Sequence, residues 1–296
     1  QNTNKNSFIS VYVYVCVCFF FCAKRQNKNK SIFPNNLNFC VCCWSLFFQG
    51  NKKQNKTHNN TTLGDWHFEQ PEDNVVTIFE GIQEIGEKYN HNVDYYNSGI
   101  KIRNIQDSKI KATSEMAVNY DHVFVVVGDN SLRYTWEGGK SFEKTAGENK
   151  ARSFLGLPGK QLDLVKSIYE KNKNLTVVYV SGKPISEPWI EDNIKSIIHA
   201  WEPGSMGGKS LGKIVFGMVN PSGKMPITTA RSVGQLVMVY NHKPTNYVHK
   251  YAFEKTKPLY PFGYGLSYTT FSISAPTLSK YSWNGKDTLD VEVTVQ

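Results

Sequence analysis

HVFVVVG (122–128) and LTVVYVSG (175–182) decide the fold. Each is a nearly unbroken run of β-branched and aromatic residues that ends in glycine. A strand with one wet face alternates apolar and polar residues, whereas a continuous apolar run is buried on both faces, as in a helix-covered parallel sheet. IIHAW (197–201) reads as a third such strand. Around these runs the apolar period changes to that of a helix. Val75, Phe79, Ile82 and Ile85 recur behind QPEDN, so 75–88 reads as an amphipathic helix, started by Pro71 and Asp73 or Asn74. Leu162, Val165 and Tyr169 mark a helix over 158–171; 190–196 reads as a short helix and 208–216 as another. Strands alternating with helices imply right-handed crossovers and an α/β fold, a mostly parallel sheet sandwiched by helices.

In such sheets, binding residues gather on the loops at the carboxyl ends of the strands. The loops here are 128–152, SGKPISEPW (181–189) and EPGSMGG (202–208), and the first is by far the longest. Its carboxylates Glu137, Glu143 and Glu148 are candidates for general acid/base work, although three glutamates on a loop are also what a solvated surface carries. Beyond Thr269 the text turns strand-like, and LDVEVTVQ (289–296) alternates as the opening of a separate β-domain would.

Upstream the composition changes. Residues 1–63 hold eight Lys or Arg, no Asp or Glu, and all six cysteines, so nearly all of the +9 net charge lies there. The remaining 233 residues carry 26 basic and 25 acidic groups, which argues against a nucleic-acid footprint on the folded part. Phe8–Ala23 is a 16-residue apolar run followed by Lys24-Arg25, long for a signal peptide core and short for a membrane span. If genuine, it directs the protein to a secreted or lysosome-like compartment or anchors it to a membrane. The alternating VYVYVCVC amid Asn/Lys-rich text also reads as a translated AT-rich intron, and that reading is preferred. A first residue of Gln rather than Met marks the chain as a fragment. The division expected is therefore 1–63 outside the fold, 64–266 an α/β domain, and 267–296 a linker and truncated β-domain.

Several motifs fail on spacing. GGKS occurs at 138–141 and 207–210, but a phosphate-binding loop needs a glycine five positions earlier, where Tyr134 and Pro203 stand. Those glycines read as turn residues. The cysteines, in C-x-C and C-x-C-C, lack the spacing of a zinc site. No cofactor or metal is expected. The seven histidines are dispersed, and His199, inside a buried run, reads as structural.

Five blocks carry a resemblance: LGDWHFEQPEDNVVTIFEGI (63–82), ENKARSFLGLPGKQLDLV (148–165), AWEPGSMGGKSLGKIVFGMVNPSGKMPITTARSVGQL (200–236), YNHKP (240–244) and PLYPFGYGLSYTTF (258–271). From about Gly64 onward the chain resembles glycoside hydrolase family 3 β-glucosidases. The resemblance implies the family's second domain, a six-stranded α/β sandwich, and then the start of a fibronectin type III-like domain. It also implies a retaining mechanism with two carboxylates. The nucleophile Asp belongs to a preceding (β/α)8 barrel absent from this sequence, and the acid/base Glu to the sandwich. Glu148 takes the acid/base role, with Glu143 as alternative. Glu148 and Arg152 keep the family's four-residue offset before LGLPG, while Ala151 replaces the usual Asp. Arg133, Tyr134 and Trp66 are candidate sugar contacts. The implied partners are a β-glucoside or oligosaccharide and the missing barrel. The competing class is a catalytically inactive carbohydrate-binding or scaffold domain. NPSGKMP reads as a turn with a rigid exit, and Gly263 and Gly265 as points of close approach between domains.

Overall fold

The computed structural model describes residues 36–44, 62–64, 71, 74–99, 105–129, 145, 151–236, 238–240 and 250–296. In chain order the elements are β1 (Asn38–Trp44), α1 (Ile78–Lys88), β2 (Asn92–Gly99), α2 (Asp107–Ala117), β3 (His122–Gly128), α3 (Gln161–Lys171), β4 (Leu175–Val180), α4 (Pro188–Asn193), β5 (Ser196–Trp201), α5 (Gly207–Val215), β6 (Thr277–Leu278) and β7 (Val291–Glu292). The first five strands form one sheet in the order β2-β1-β3-β4-β5, with every pairing parallel. The family resemblance implied six strands; five are present among the described residues. Helix α1 packs on α5 and α2 on α3, so the sheet is sandwiched as expected.

The two deciding runs occupy the middle of the sheet. All side chains of β4, and those of β3 from Val123 onward, are buried. One interior strand is not one that the apolar pattern beyond Gly64 supplied. β1 lies between β2 and β3, and its Phe39, Cys40, Val41 and Cys42 are completely buried. The expected boundary at 63/64 therefore differs from the sheet, which takes one of its interior strands from residues 38–44. A strand buried on both faces needs only a short apolar run of strand-forming residues, and NFCVCCW meets that requirement. Phe39 packs on Phe124 and Phe216 at centroid distances of 5.9 and 5.8 Å. The Cys40 and Cys42 sulfurs lie 3.4 Å apart.

Helix α1 begins later than its apolar period suggested. Thr77 caps it: the Thr77 hydroxyl accepts from the Glu80 amide at 3.2 Å, and the Glu80 carboxylate accepts from the Thr77 amide at 2.8 Å. This capping box satisfies amides that the first turn would otherwise leave open. The GGKS glycines at 207–208 open α5 rather than serving an isolated turn. A Cβ on Gly208 would lie 1.9 Å from the Thr77 carbonyl oxygen, and one on Gly81 would lie 1.9 Å from the Gly208 carbonyl. These glycines let the α1 and α5 backbones touch, which no larger residue permits.

At the carboxyl end, residues 272–296 form a two-stranded antiparallel ladder that includes β6, β7 and a bridge between Ile273 and Val295. The strand-like reading of this segment matches. Its apolar side chains, Phe271, Ile273, Val291 and Val295 among them, are exposed.

Candidate active-site edge

Strand order 2-1-3-4-5 reverses direction between β1 and β3, and ligands of such sheets bind at the carboxyl ends of the strands beside that reversal. β3 ends there, at Gly128, and the longest loop leaves from Asp129. Gln161, on the first turn of α3, locks the end of the strand. Its amide oxygen accepts from the Gly128 amide at 2.8 Å and its nitrogen donates to the Gly128 carbonyl at 2.7 Å.

Asp129 is the centre of a charged cluster. Its side chain is 3% exposed, and its carboxylate lies 3.3 Å from both the Arg152 guanidinium and the Lys183 ammonium. The Ser181 hydroxyl donates to the other carboxylate oxygen at 3.0 Å. Three chain segments thus converge: the exit of β3, the exit of β4, and the segment entering LGLPG. Arg152 also donates to the Thr145 carbonyl, and Thr145 is itself buried. One guanidinium therefore ties down both flanks of residues 146–151. Burial holds the Lys183 ammonium below the usual lysine range, and the charge of Asp129 opposes that shift.

LGLPG is fastened from beneath. The Glu187 carboxylate accepts from the Leu157 amide at 2.6 Å, and Leu155 accepts from the Ser186 amide at 3.0 Å. Burial raises Glu187 above the usual carboxylate range, while the Leu157 hydrogen bond, Lys166 and Lys183 pull it back. A Cβ on Gly156 would lie 2.3 Å from that carboxylate.

Glu148, Glu143, Glu137, Arg133, Tyr134 and Trp66 lie outside the described residues. The structure supplies the frame around the first five. Sequence reasoning missed Asp129, Lys183 and Glu187. Two of them had a local signal: Asp129 directly follows VVVG, and Lys183 follows the SG that ends the β4 run. A charged residue immediately after a buried strand sits at the functional edge.

Other expectations fall elsewhere. His199 is buried, as its position in IIHAW suggested, and burial pushes it down to about 4. Trp201 is half-buried at the end of β5, with a φ of 55°, and packs against Met225, Leu259 and Tyr260. Gly263 and Gly265 seat PFGYG on NPSGKMP. The Gly263 amide donates to the Met225 carbonyl at 2.8 Å, and a Cβ on Gly265 would lie 2.5 Å from the Gly223 oxygen. Their close approach is thus to the α/β body itself. A cleft of about 850 Å³ opens at the opposite edge, beside His122, Lys173, Glu191 and Lys195. It lies away from the strand-end loops. Among the described residues, no group of His, Cys, Asp and Glu is arranged to hold a metal ion.

Residues 46–268 match the model of the glycosyl hydrolase family 3 C-terminal domain, and the chain belongs to that family. It is 35% identical over 225 residues to a β-xylosidase of Formosa agariphila, covering 74% of this chain and 29% of that protein. It is also 35% identical over 216 residues to the periplasmic β-glucosidase of Salmonella typhimurium, covering 68% of this chain and 26% of that protein. The chain thus spans less than a third of the length of these relatives. Among solved structures, the β-glucosidase of Listeria innocua in complex with isofagomine superposes with a TM-score of 0.71 at 21% identity, over 94% of this chain and 36% of that one. That likeness confirms the α/β architecture.

Proposed function

We propose that this region is the second domain of a retaining β-glycosidase that hydrolyses O-glycosyl bonds, with a β-glucoside or related oligosaccharide as substrate. Residues 38–44 together with 64–266 form its working body, and 267–296 open a fibronectin type III-like domain. The observation that carries the reading is the buried Asp129–Arg152–Lys183 cluster, which fastens both flanks of the 146–151 segment to the functional edge. Glu148 lies in that segment. The names of the relatives, β-glucosidase and β-xylosidase, support the substrate class.

In this reading Glu148 protonates the glycosidic oxygen as the leaving group departs. A barrel Asp, supplied from outside this region, meanwhile forms the glycosyl ester. Glu148 then takes a proton from the water that hydrolyses the ester. Glu143 is the alternative acid/base. Arg133, Tyr134 and Trp66 are assigned to the sugar pocket, and no cofactor takes part.

The test is made in a polypeptide that carries this region behind a family 3 barrel. Glu148→Ala should lower deglycosylation by about 10²–10⁴-fold. Azide should restore turnover and yield a glycosyl azide, because it needs no general base. Absence of rescue would move the role to Glu143, and absence of any rate loss would remove it from Glu148.

The second reading, a binding or scaffold domain, follows from the division of labour. One carboxylate without a nucleophile cannot run a double displacement. Release of p-nitrophenol from its β-glucoside by the purified 296-residue chain would exclude it.

A further inference from the structure

At the amino edge of the sheet, the short loop 172–174 joins α3 to β4, and its two asparagines are used differently. The Asn172 side-chain amide donates to the Ala117 and Tyr120 carbonyls at 2.9 and 2.8 Å, and its oxygen accepts from the Asn174 backbone amide at 2.9 Å. The Asn174 carbonyl accepts from the Val123 amide at 3.0 Å, so the backbone of Asn174 is pinned on both sides. Its side chain is exposed and makes no hydrogen bond among the described residues. Asn174 also opens the triplet Asn174-Leu175-Thr176. Beyond Gly64 this is the single Asn-x-Ser/Thr sequence whose middle residue is not proline; Asn220-Pro221-Ser222 fails on that ground.

Asn174 lines the cleft of about 850 Å³, a volume toward the upper end of small-molecule sites. The carboxylates of that cleft are engaged: Glu191 accepts from the Tyr260 hydroxyl, and Asp192 pairs with Lys255 at 3.0 Å. Lys195 is exposed and forms no ion pair among the described residues, and half-buried Asn193 lies two positions before it. Leu175 and Leu266 add an apolar wall. Polar groups beside an apolar wall suit a sugar that carries both hydroxyls and an acetamido methyl. The place also leaves the functional edge clear. Strand β4 runs six residues from this end to the Asp129–Lys183 end, roughly 20 Å at about 3.3 Å per residue.

We infer that Asn174 is an N-glycan acceptor, and that the first N-acetylglucosamine of the glycan lies in this cleft against Asn193 and Lys195. The donor is a polyprenyl-diphosphate-linked oligosaccharide. The bond from C1 of its first sugar to the diphosphate breaks, and a bond from C1 to Asn174 Nδ2 forms. The lipid diphosphate departs, and the proton lost from Nδ2 passes to a base of the transferase. The acceptor triplet requires the Thr176 hydroxyl. In the fold that hydroxyl is completely buried and bonded to His122 and Ser196, both at 2.9 Å. Transfer therefore precedes the folding of β4. The assignment is independent of the reaction at the carboxyl edge.

The test places the 296-residue chain behind a cleavable secretory leader in a eukaryotic host. Peptide N-glycosidase in heavy-oxygen water converts each glycosylated Asn to labelled Asp. Peptide mass spectrometry then reads position 174 apart from the triplets that begin at Asn55, Asn59 and Asn60. Most molecules should carry the label at 174, and unlabelled Asn174 would overturn the assignment. Because transfer precedes folding, chain retained in the cell is read in the same way as secreted chain. Thr176→Ser keeps the hydroxyl and should keep the label, whereas Thr176→Val should lose it; label retained in Thr176→Val would overturn the assignment too. The seat in the cleft is tested by release rates. The glycosidase should act at least about tenfold more slowly on the folded glycoprotein than on the denatured one, since local opening must expose the first sugar. Lys195→Ala, at an exposed and unpaired position, should speed release from the folded form. Equal rates on folded and denatured protein, or no change in Lys195→Ala, would remove the sugar from the cleft.

Discussion

The two edges of the central sheet are both polar, yet they are built from different chemistry. At the carboxyl edge Asp129 faces Arg152 and Lys183, a set of full charges that joins three separate segments. At the amino edge the His122 ring, the Thr176 hydroxyl and the Ser196 hydroxyl form a relay across β3, β4 and β5, with both contacts at 2.9 Å. Since Thr176 donates to Ser196, its oxygen accepts from the His122 ring, which burial keeps neutral. Burial explains that state, holding His122 down to about 4. A neutral relay aligns strands that the backbone ladder already pairs. A charged cluster does what no ladder does at the other edge, fixing loop segments from different parts of the chain to one point. The wider lesson is that charge is spent where secondary structure ends and position still matters.

Breaking the charged edge should have the largest effect. Asp129→Ala leaves two partly buried cations facing each other, and loss of one partner of a buried ion pair costs about 3–5 kcal/mol. Urea unfolding of residues 36–296 should show a lowered midpoint with an unchanged slope. A loss below 1 kcal/mol would mean that water replaces the carboxylate and that the edges are not distinct.

Acid should act through two histidines, the half-buried His122 at the amino edge and the buried His199 inside β5. His122 and His199 both sit at about 4 in the fold through burial, against 6.5 in the unfolded chain. Between those values the unfolded chain binds protons that the folded chain refuses. Stability is thus complete above pH 6.5 and falls as the pH drops toward 4. Fully buried His199 accounts for roughly 3 kcal/mol of this and the less covered His122 for less. A melting temperature independent of pH across that window would rule the effect out. His122→Asn, which cannot titrate, should flatten part of the slope.

The smallest effect expected is that of Thr176→Val, which removes the hydroxyl shared by His122 and Ser196 at a cost of about 1–2 kcal/mol. Chemical denaturation of this variant beside Asp129→Ala compares the edges directly. Equal losses would mean that charge confers nothing beyond hydrogen bonding.

What was legible in the residues tracks how one-sided each environment is. β3, β4 and β5 are interior or well covered, so their runs are continuously apolar and their positions agree with expectation to within about a residue or two. β2 is an edge strand, and the exposed Asn92, Asp94 and Asn97 of NVDYYNSG hide the strand pattern. Helix α2 was invisible for a related reason. Its buried face is Ile110, Thr113, Ser114 and Ala117, small and half polar, so no apolar stripe marks it. At the site, the exits of β3 and β4 were legible from the glycines that end their apolar runs. The ion cluster was not, because Asp129 and Lys183 stand 54 positions apart.

The sequence by itself determined the α/β class, the buried strands, most helices and the family, since burial on both faces and helical period are written in local residue order. Three things were decided only by the tertiary structure. Residues 38–44 take an interior place in the sheet because the position between β2 and β3 is covered on both faces and suits a short apolar strand. The glycines of GGKS serve a helix crossing because Gly81, over 120 residues earlier, meets Gly208 backbone to backbone. Asp129 gathers its cations because two parallel strands end side by side, and only the pairing of β3 with β4 brings those ends together.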